Sequence, residues 1–409
     1  MAVGETRFPA MPVIEGLRLG SAMAGIKKPG RRDLVVIEIP AGARVAGSFT
    51  LNAFCAAPVT VAKQHLAECH GRGEGARLLV INTGNANAGT GETGLRDARA
   101  TCAELARLAG VPADSVLPFS TGVIGEPLPM ERLLAGLPQA LETLSGDSAA
   151  WQQAGEGILT TDTRPKGASV TLEMGEHTVT INGISKGSGM IKPNMATMLA
   201  FVATDANIEQ ALLDALLRET VDRSFNCISV DGDTSTNDAC MLIATGRGAT
   251  VASDEQVAIF RNGLQRVMTE LAQAIVRDGE GATKFVTLQV QEAATREEAL
   301  DVAFTVAHSP LVKTALFASD ANWGRILAAV GRAPLHDFDV GRVTIDLGDV
   351  RLVEQGGRAA SYTEEDGSRV MREEEIVIRI ALGRGEEGAT VWTTDLSHDY
   401  VSINADYRS

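Results

Sequence analysis

The stretch KGSGMIKPNMATMLAFVAT, residues 186–204, decides how this sequence is read. A loop rich in glycine and proline, Lys186 to Pro193, can hold backbone that other residues resist. It runs directly into the apolar run Met198–Thr204, which reads as a buried strand. At the join a small residue, Ala196, precedes a hydroxyl residue, Thr197. That is the arrangement an N-terminal nucleophile needs. The Thr197 hydroxyl attacks the Ala196 carbonyl, the ester hydrolyses, and the freed α-amine, with an ordinary pKa of about 8, becomes the general base of its own side chain. Spacing alone also fits an ordinary loop-to-strand junction.

Outward from this junction, short apolar runs recur at Leu34–Ile39, Arg77–Ile81, Ser169–Leu172, Cys240–Ala244, Phe285–Val290, Val343–Leu347, Ile376–Leu382 and Thr390–Thr394. Several alternate with a period of two, the mark of a half-buried strand. Helical spacing appears in Leu95, Ala98, Cys102, Leu105 and Ala109, stopped by Gly110. It appears again from Val257 to Ile275, opened by Ser253 and Gln256 as a capping box. Further helices are expected over 208–221 and 309–317, and Asp366-Gly367 signals a hairpin turn. Period-two strands mixed with separate helices predict an α/β (α+β) fold. The 409 residues suggest two to three domains at about 150 residues each, with a boundary placed near residue 290.

The 37 Lys+Arg against 52 Asp+Glu leave a net charge of −15. That acidity opposes a nucleic-acid backbone or an anionic membrane as partner. No apolar run approaches the ~18 residues a membrane span needs. The N-terminus shows no secretory pattern, and five scattered cysteines suit free thiols in a reducing compartment. A cytoplasmic protein is therefore expected.

Three motifs are set aside. Gly89-Thr90-Gly91-Glu92-Thr93-Gly94 spells GxGxxG, but seven residues separate it from the preceding strand and Glu92 would face the phosphates. Gly183-Ile184-Ser185-Lys186-Gly187 spells GxSxG without a helix-forming sequence behind the serine, and His308, His336 and His398 compete equally as its histidine. His65, Cys69 and His70 are too awkwardly spaced for a zinc site.

The segment around Thr197 closely resembles the processing site of the ornithine acetyltransferase (glutamate N-acetyltransferase) family. The blocks 82–88 (NTGNANA), 120–125 (STGVIG), 160–163 (TTDT), 229–238 (SVDGDTSTND) and 319–325 (SDANWGR) carry the same resemblance, in family order along essentially the whole chain. It implies a layered αββα sandwich core, shared with self-cleaving aminopeptidases, and a smaller second α/β domain. It implies cleavage between Ala196 and Thr197 into an α chain (1–196) and a β chain (197–409), assembled as an α2β2 heterotetramer. The implied reaction moves acetyl from N2-acetylornithine to glutamate through acetyl-Thr197. Acetyl-CoA would be a further donor only in a bifunctional member, and no metal or organic cofactor is expected. Thr121 and Gly122 match the oxyanion hole, where each donor is typically worth ~3–4 kcal/mol. Thr163, Lys186, Glu280, Asn404 and Ser409 match substrate contacts, with Thr160 and Thr161 close enough to Thr163 to blur that assignment. Placing Asn404 and Ser409 there requires the C-terminal tail to return to the site; without the resemblance 401–409 reads as a frayed end. A self-cleaving aminopeptidase or amidase is the alternative activity.

Overall fold

A computed structural model describes residues 2–4, 7–192 and 198–406. The expected nucleophile Thr197, its partner Ala196 and the C-terminal Ser409 lie outside the described residues. Met198 and the strand that follows lie inside them.

One four-stranded sheet is built from β1 (Arg18–Ala22), β2 (Leu34–Glu38), β4 (Leu78–Asn85) and β5 (Val116–Val123), in that order. A five-stranded sheet contains β3 (Arg44–Phe49), β10 (Ala239–Ala244), β8 (Leu199–Thr204), β7 (His177–Lys186) and β6 (Lys166–Met174), also in spatial order. Period-two alternation glues the two face to face. Leu79, Ile81, Leu117 and Phe119 of the first sheet share one core with Leu199, Phe201, Met241 and Ile243 of the second. Phe119 and Phe201 meet edge to face, 5.2 Å between centroids.

The opposite face of each sheet is covered by helices. Val36, Leu78 and Val80 pack with Cys102, Leu105, Leu133 and Leu137 of the helices Gly91–Ala109 and Met130–Glu142. Ala200, Val202 and Leu242 pack with Leu216, Leu264 and Leu271 of the helices Gln210–Asp222 and Asp254–Arg277. The layers run helix, sheet, sheet, helix. β8 is buried along its whole length, so its near-continuous apolar run follows from its place between β10 and β7.

The remaining seven-stranded sheet runs β14 (Gly357–Arg358), β13 (Val350–Glu354), β12 (Thr344–Leu347), β15 (Glu375–Ala381), β11 (Phe285–Ala293), β16 (Glu387–Thr394) and β9 (Ile228–Ser229). Its core is separate, drawn from Val286 onward and closed by the helices Arg296–Ala307, Pro310–Phe317 and Trp323–Gly331.

The local signals for the long helices appear as written in the sequence. Ser253 and Gln256 form a reciprocal capping box, and Gly110 ends its helix at φ 69°. The hairpin expected at Asp366-Gly367 is absent; a helix, Glu364–Met371, occupies that place. Thr363 caps it by accepting the Asp366 N–H, and the acidic first turn suits the positive end of the helix dipole. Gly367 serves packing instead, because a Cβ there would meet the Tyr362 hydroxyl at 2.7 Å. The C-terminal segment 398–405 is also a helix, capped by Ser397. Among the described residues, no helix is long and apolar enough to cross a membrane.

Candidate active site

The parallel strands β4 and β5 end side by side, pairing Thr83 with Thr121 and Gly84 with Gly122. Both glycines have positive φ, 102° and 135°. A Cβ on Gly122 would lie 2.3 Å from the Gly84 carbonyl carbon, so only glycine lets the two backbones approach. Ser120 donates to Asn82 Oδ1 at 2.6 Å, and Asn237 donates to the carbonyls of Ala86 (2.6 Å) and Ser120 (2.9 Å). One asparagine thus ties the ends of both strands to the loop that enters β10.

Gly122→Ala should cost about 1–3 kcal/mol through this strain. Thermal unfolding checks it, and an unchanged Tm would remove the argument.

Lys186 is the last residue of β7, not a loop lysine, and it is buried. Its Nζ donates to Thr121 Oγ1 at 3.5 Å and lies 3.8 Å from Asp162 Oδ2. Burial lowers the pKa of this ammonium, while Asp162 pulls it back up. Asp162 is itself one member of a buried chain of charges. Its Oδ1 lies 2.6 Å from Lys166 Nζ, which lies 2.6 Å from Asp278 Oδ2. Asp162 also accepts the Gly187 N–H at 2.7 Å. Burial opposes the charge on Asp162, yet the two lysines hold its carboxyl well below the usual carboxylate range.

Glu280 follows the helix Asp254–Arg277. Its Oε1 accepts the Thr161 hydroxyl at 2.7 Å and its Oε2 accepts Asn404 Nδ2 at 2.8 Å. A Cβ on Gly189 would meet Glu280 Oε2 at 2.3 Å, so this glycine makes room for the carboxylate. The segment 187–192 is held from the other side by Asp231, which accepts the N–H groups of Met190 (2.5 Å) and Ile191 (2.9 Å).

Thr121, Gly122, Lys186, Glu280 and Asn404 line one cleft of about 240 Å³, together with Thr160, Thr161, Gly189, Ser235, Thr236 and Asn237. Thr163 does not line it. It is exposed, and its N–H (3.0 Å) and its hydroxyl both bind Asp278. Thr161 occupies the cleft in its place. An adjoining cavity of about 180 Å³ shares Gly122, Thr160 and Thr161 and is bordered by Lys28 and Arg31.

The motifs set aside stay apart from this cleft. Ser185 is buried within β7, facing the Leu271 carbonyl at 3.5 Å. His308 lies 2.9 Å from Ser229 Oγ, with its pKa pushed down to about 4 by burial and by Lys192, and neither it, His336 nor His398 lines the cleft. His65 and His70 each bind a different backbone carbonyl, Val116 and Val45. Among the described residues no cluster could hold a metal ion.

Sequence reasoning assigned no role to Thr161, Asp162, Ser235, Asn237 or Asp238, although all fall in the blocks 160–163 and 229–238. It had no signal at all for Lys166 and Asp278.

The sequence pattern of the ArgJ family matches residues 18–409. The chain is 56% identical over 413 aligned positions to the arginine biosynthesis bifunctional protein ArgJ of Pseudomonas syringae pv. tomato, covering 100% of both chains. Against the protein of the same name from Pseudomonas fluorescens the identity is 55%, again over 100% of both. Among solved structures it is similar to the arginine biosynthesis bifunctional protein argJ of Bacillus halodurans. That match has 38% identity and a TM-score of 0.48, covering 50% of this chain and 97% of the other. It is also similar to an ornithine acetyltransferase from Mycobacterium tuberculosis solved with ornithine, at 30% identity and TM-score 0.37, covering 46% and 96%.

Proposed function

Since the chain belongs to the ArgJ family, we propose that it is a glutamate N-acetyltransferase of arginine biosynthesis. It takes acetyl from N2-acetylornithine onto Thr197 and passes it to glutamate, releasing ornithine and then N-acetylglutamate. The observation that carries this reading is the convergence of four separated parts of the chain, Thr121-Gly122, Lys186, Glu280 and Asn404, on one cleft. That cleft stands beside the strand pair whose β8 begins two residues after Thr197.

Each role follows from the chemistry at hand. The Thr121 hydroxyl and the Gly122 N–H suit the oxyanion of a tetrahedral intermediate. Lys186, the buried cation of the cleft, suits the substrate α-carboxylate as a charge-assisted partner. Glu280, held by Thr161 and Asn404, suits the side-chain ammonium of ornithine. In this reading the tail helix returns Asn404 to the site, and Ser409 adds a further contact. Thr163, held by Asp278, lines an adjoining cavity with Thr161 and Glu280 and adds a substrate contact from that side. Thr197 becomes N-terminal by self-cleavage after Ala196, and its α-amine serves as the base. The α and β chains remain together as α2β2, in the cytoplasm, and acetyl-CoA is an additional donor in keeping with the bifunctional relatives.

Incubation with N2-acetylornithine and glutamate, read by mass spectrometry, tests the reaction. N-acetylglutamate and ornithine in equal amounts are expected. Release of free acetate with no N-acetylglutamate would instead identify a self-cleaving amidase. Replacing the donor with acetyl-CoA tests the second activity directly.

A further inference from the structure

The reaction proposed above asks one cleft to serve two amino acids of opposite side-chain charge. N2-acetylornithine and glutamate present the same α-amine and α-carboxylate to the same acetyl-carrying atom in turn, so their side chains leave from one point. Glu280, an anion held by Thr161 and Asn404, suits the ornithine ammonium and repels a side-chain carboxylate. The cavity of about 180 Å³ beside the cleft carries the opposite charge. It shares Gly122, Thr160 and Thr161 with the cleft, and its wall gathers Lys27, Lys28 and Arg31 in a chain whose net charge is −15. Hydrogen bonds fix this wall. Asp33 accepts the N–H groups of Ala24 at 2.7 Å and Ile26 at 2.6 Å, and its carbonyl accepts the Thr83 N–H at 2.9 Å. A Cβ on Gly84 would meet the Lys27 Cβ at 2.7 Å, so the basic segment lies against the glycine that pairs with Gly122. The Arg31 guanidinium donates to the carbonyl of Leu159, the residue before Thr160, while Lys28 is exposed at the edge. Two carboxylates also line the cavity: Asp33, occupied by backbone N–H groups, and Asp406 at the end of the tail helix.

We infer that Lys28 and Arg31 receive the side-chain carboxylate of the acceptor glutamate. The inference rests on the transferase reading above. The Leu159 carbonyl takes one N–H of the Arg31 fork, which fixes a plane whose other N–H groups suit a carboxylate. Lys28 adds a second positive charge at the same wall. One cleft then accepts two side chains of opposite charge without rearranging, the ammonium toward Glu280 and the carboxylate toward Lys28 and Arg31. A neutral side chain gains from neither direction, so the pair of regions selects for charged acceptors at both steps.

The test lets the acetylated enzyme choose between acceptors. N2-acetylornithine is the donor, and glutamate competes with isotopically labelled ornithine, both acetylated products being followed at initial rate by mass spectrometry. The rivals differ only in their side chains, so a general packing defect slows both alike. In the double variant Lys28→Gln/Arg31→Gln, the ratio of kcat/KM for glutamate to kcat/KM for ornithine should fall about tenfold, the worth of a charge-assisted contact. A fall of less than about threefold overturns the inference. Should the double variant not fold, Lys28→Gln alone decides by the same limit, because its side chain is exposed. Acetyl-CoA as donor supplies a second arm. A variant whose kcat/KM falls for acetyl-CoA while the acceptor ratio stays would assign these cations to the donor's phosphates, which also overturns the inference. A wild-type chain that makes no N-acetylglutamate would sink the transferase reading itself, an outcome separate from all of these.

Discussion

Thr197→Ala should leave a single unsplit chain of 43.0 kDa and no acetyl transfer. The wild type should give chains of 196 and 213 residues, read from intact mass. The substitution removes the only atom that can attack the Ala196 carbonyl in the proposed scheme. It also removes the same atom from the transfer reaction, where it would carry the acetyl group. Loss of a nucleophile costs on the order of 10⁴-fold or more in rate, with binding and the oxyanion donors accounting for what remains. Thr197→Ser keeps a hydroxyl and should split and turn over more slowly. Substrate should still bind the alanine chain, because Lys186 and Glu280 are held by partners on other elements, Asp162 and Asn404. Detection of a split product from the alanine chain would end the assignment of Thr197.

What could be read from the sequence was local. The capping box at Ser253, the glycine stop at Gly110 and the alternation of Val343–Leu347 are written in neighbouring residues, and each corresponds to an element. The nine strand-like runs each fall on a strand. The DG pair at 366–367 failed because its reading presumes two flanking strands, whereas Thr363 three residues earlier was an available helix cap. Lys186 looked like a loop residue because the glycines after it dominate the local signal. Its place at the end of β7 is fixed by pairing with Leu199 of β8, which no local pattern reveals. The same holds for the site. Thr161 rather than Thr163 faces the cleft because Asp278, 115 residues away, takes both polar groups of Thr163. Lys166 and Asp278 carried no motif; Lys166 is four residues from Asp162, but only the fold brings Asp278 to join them.

That buried chain of charges gives the second large expectation. Asp162→Asn should destabilise the protein by about 3–5 kcal/mol, the cost of leaving a buried partner uncompensated. Two aspartates and two lysines alternate here, Asp278, Lys166, Asp162 and Lys186, so that every charge faces an opposite one. Neutralising Asp162 leaves Lys166 with Asp278 and takes from the buried Lys186 its ion-pair partner, with only the weaker pull of Glu280 and Asp238 remaining. The pH dependence carries a definite sign. The folded pKa of Asp162 is depressed, so its contribution to stability is present above the unfolded value of about 3.9 and is lost as pH falls below it. Urea unfolding of the Asn variant should therefore lose less stability than the wild type on acidification through that range. At the other end, Asp162 raises the Lys186 pKa against burial. Without it the ammonium is lost at lower pH, and the alkaline limb of kcat/KM should move down the pH scale, with KM affected more than kcat if Lys186 holds the substrate carboxylate. A packing defect alone would lower stability and leave that limb in place. An Asn variant with both the wild-type unfolding curve and the wild-type alkaline limb would show that the chain of charges neither supports the fold nor tunes Lys186.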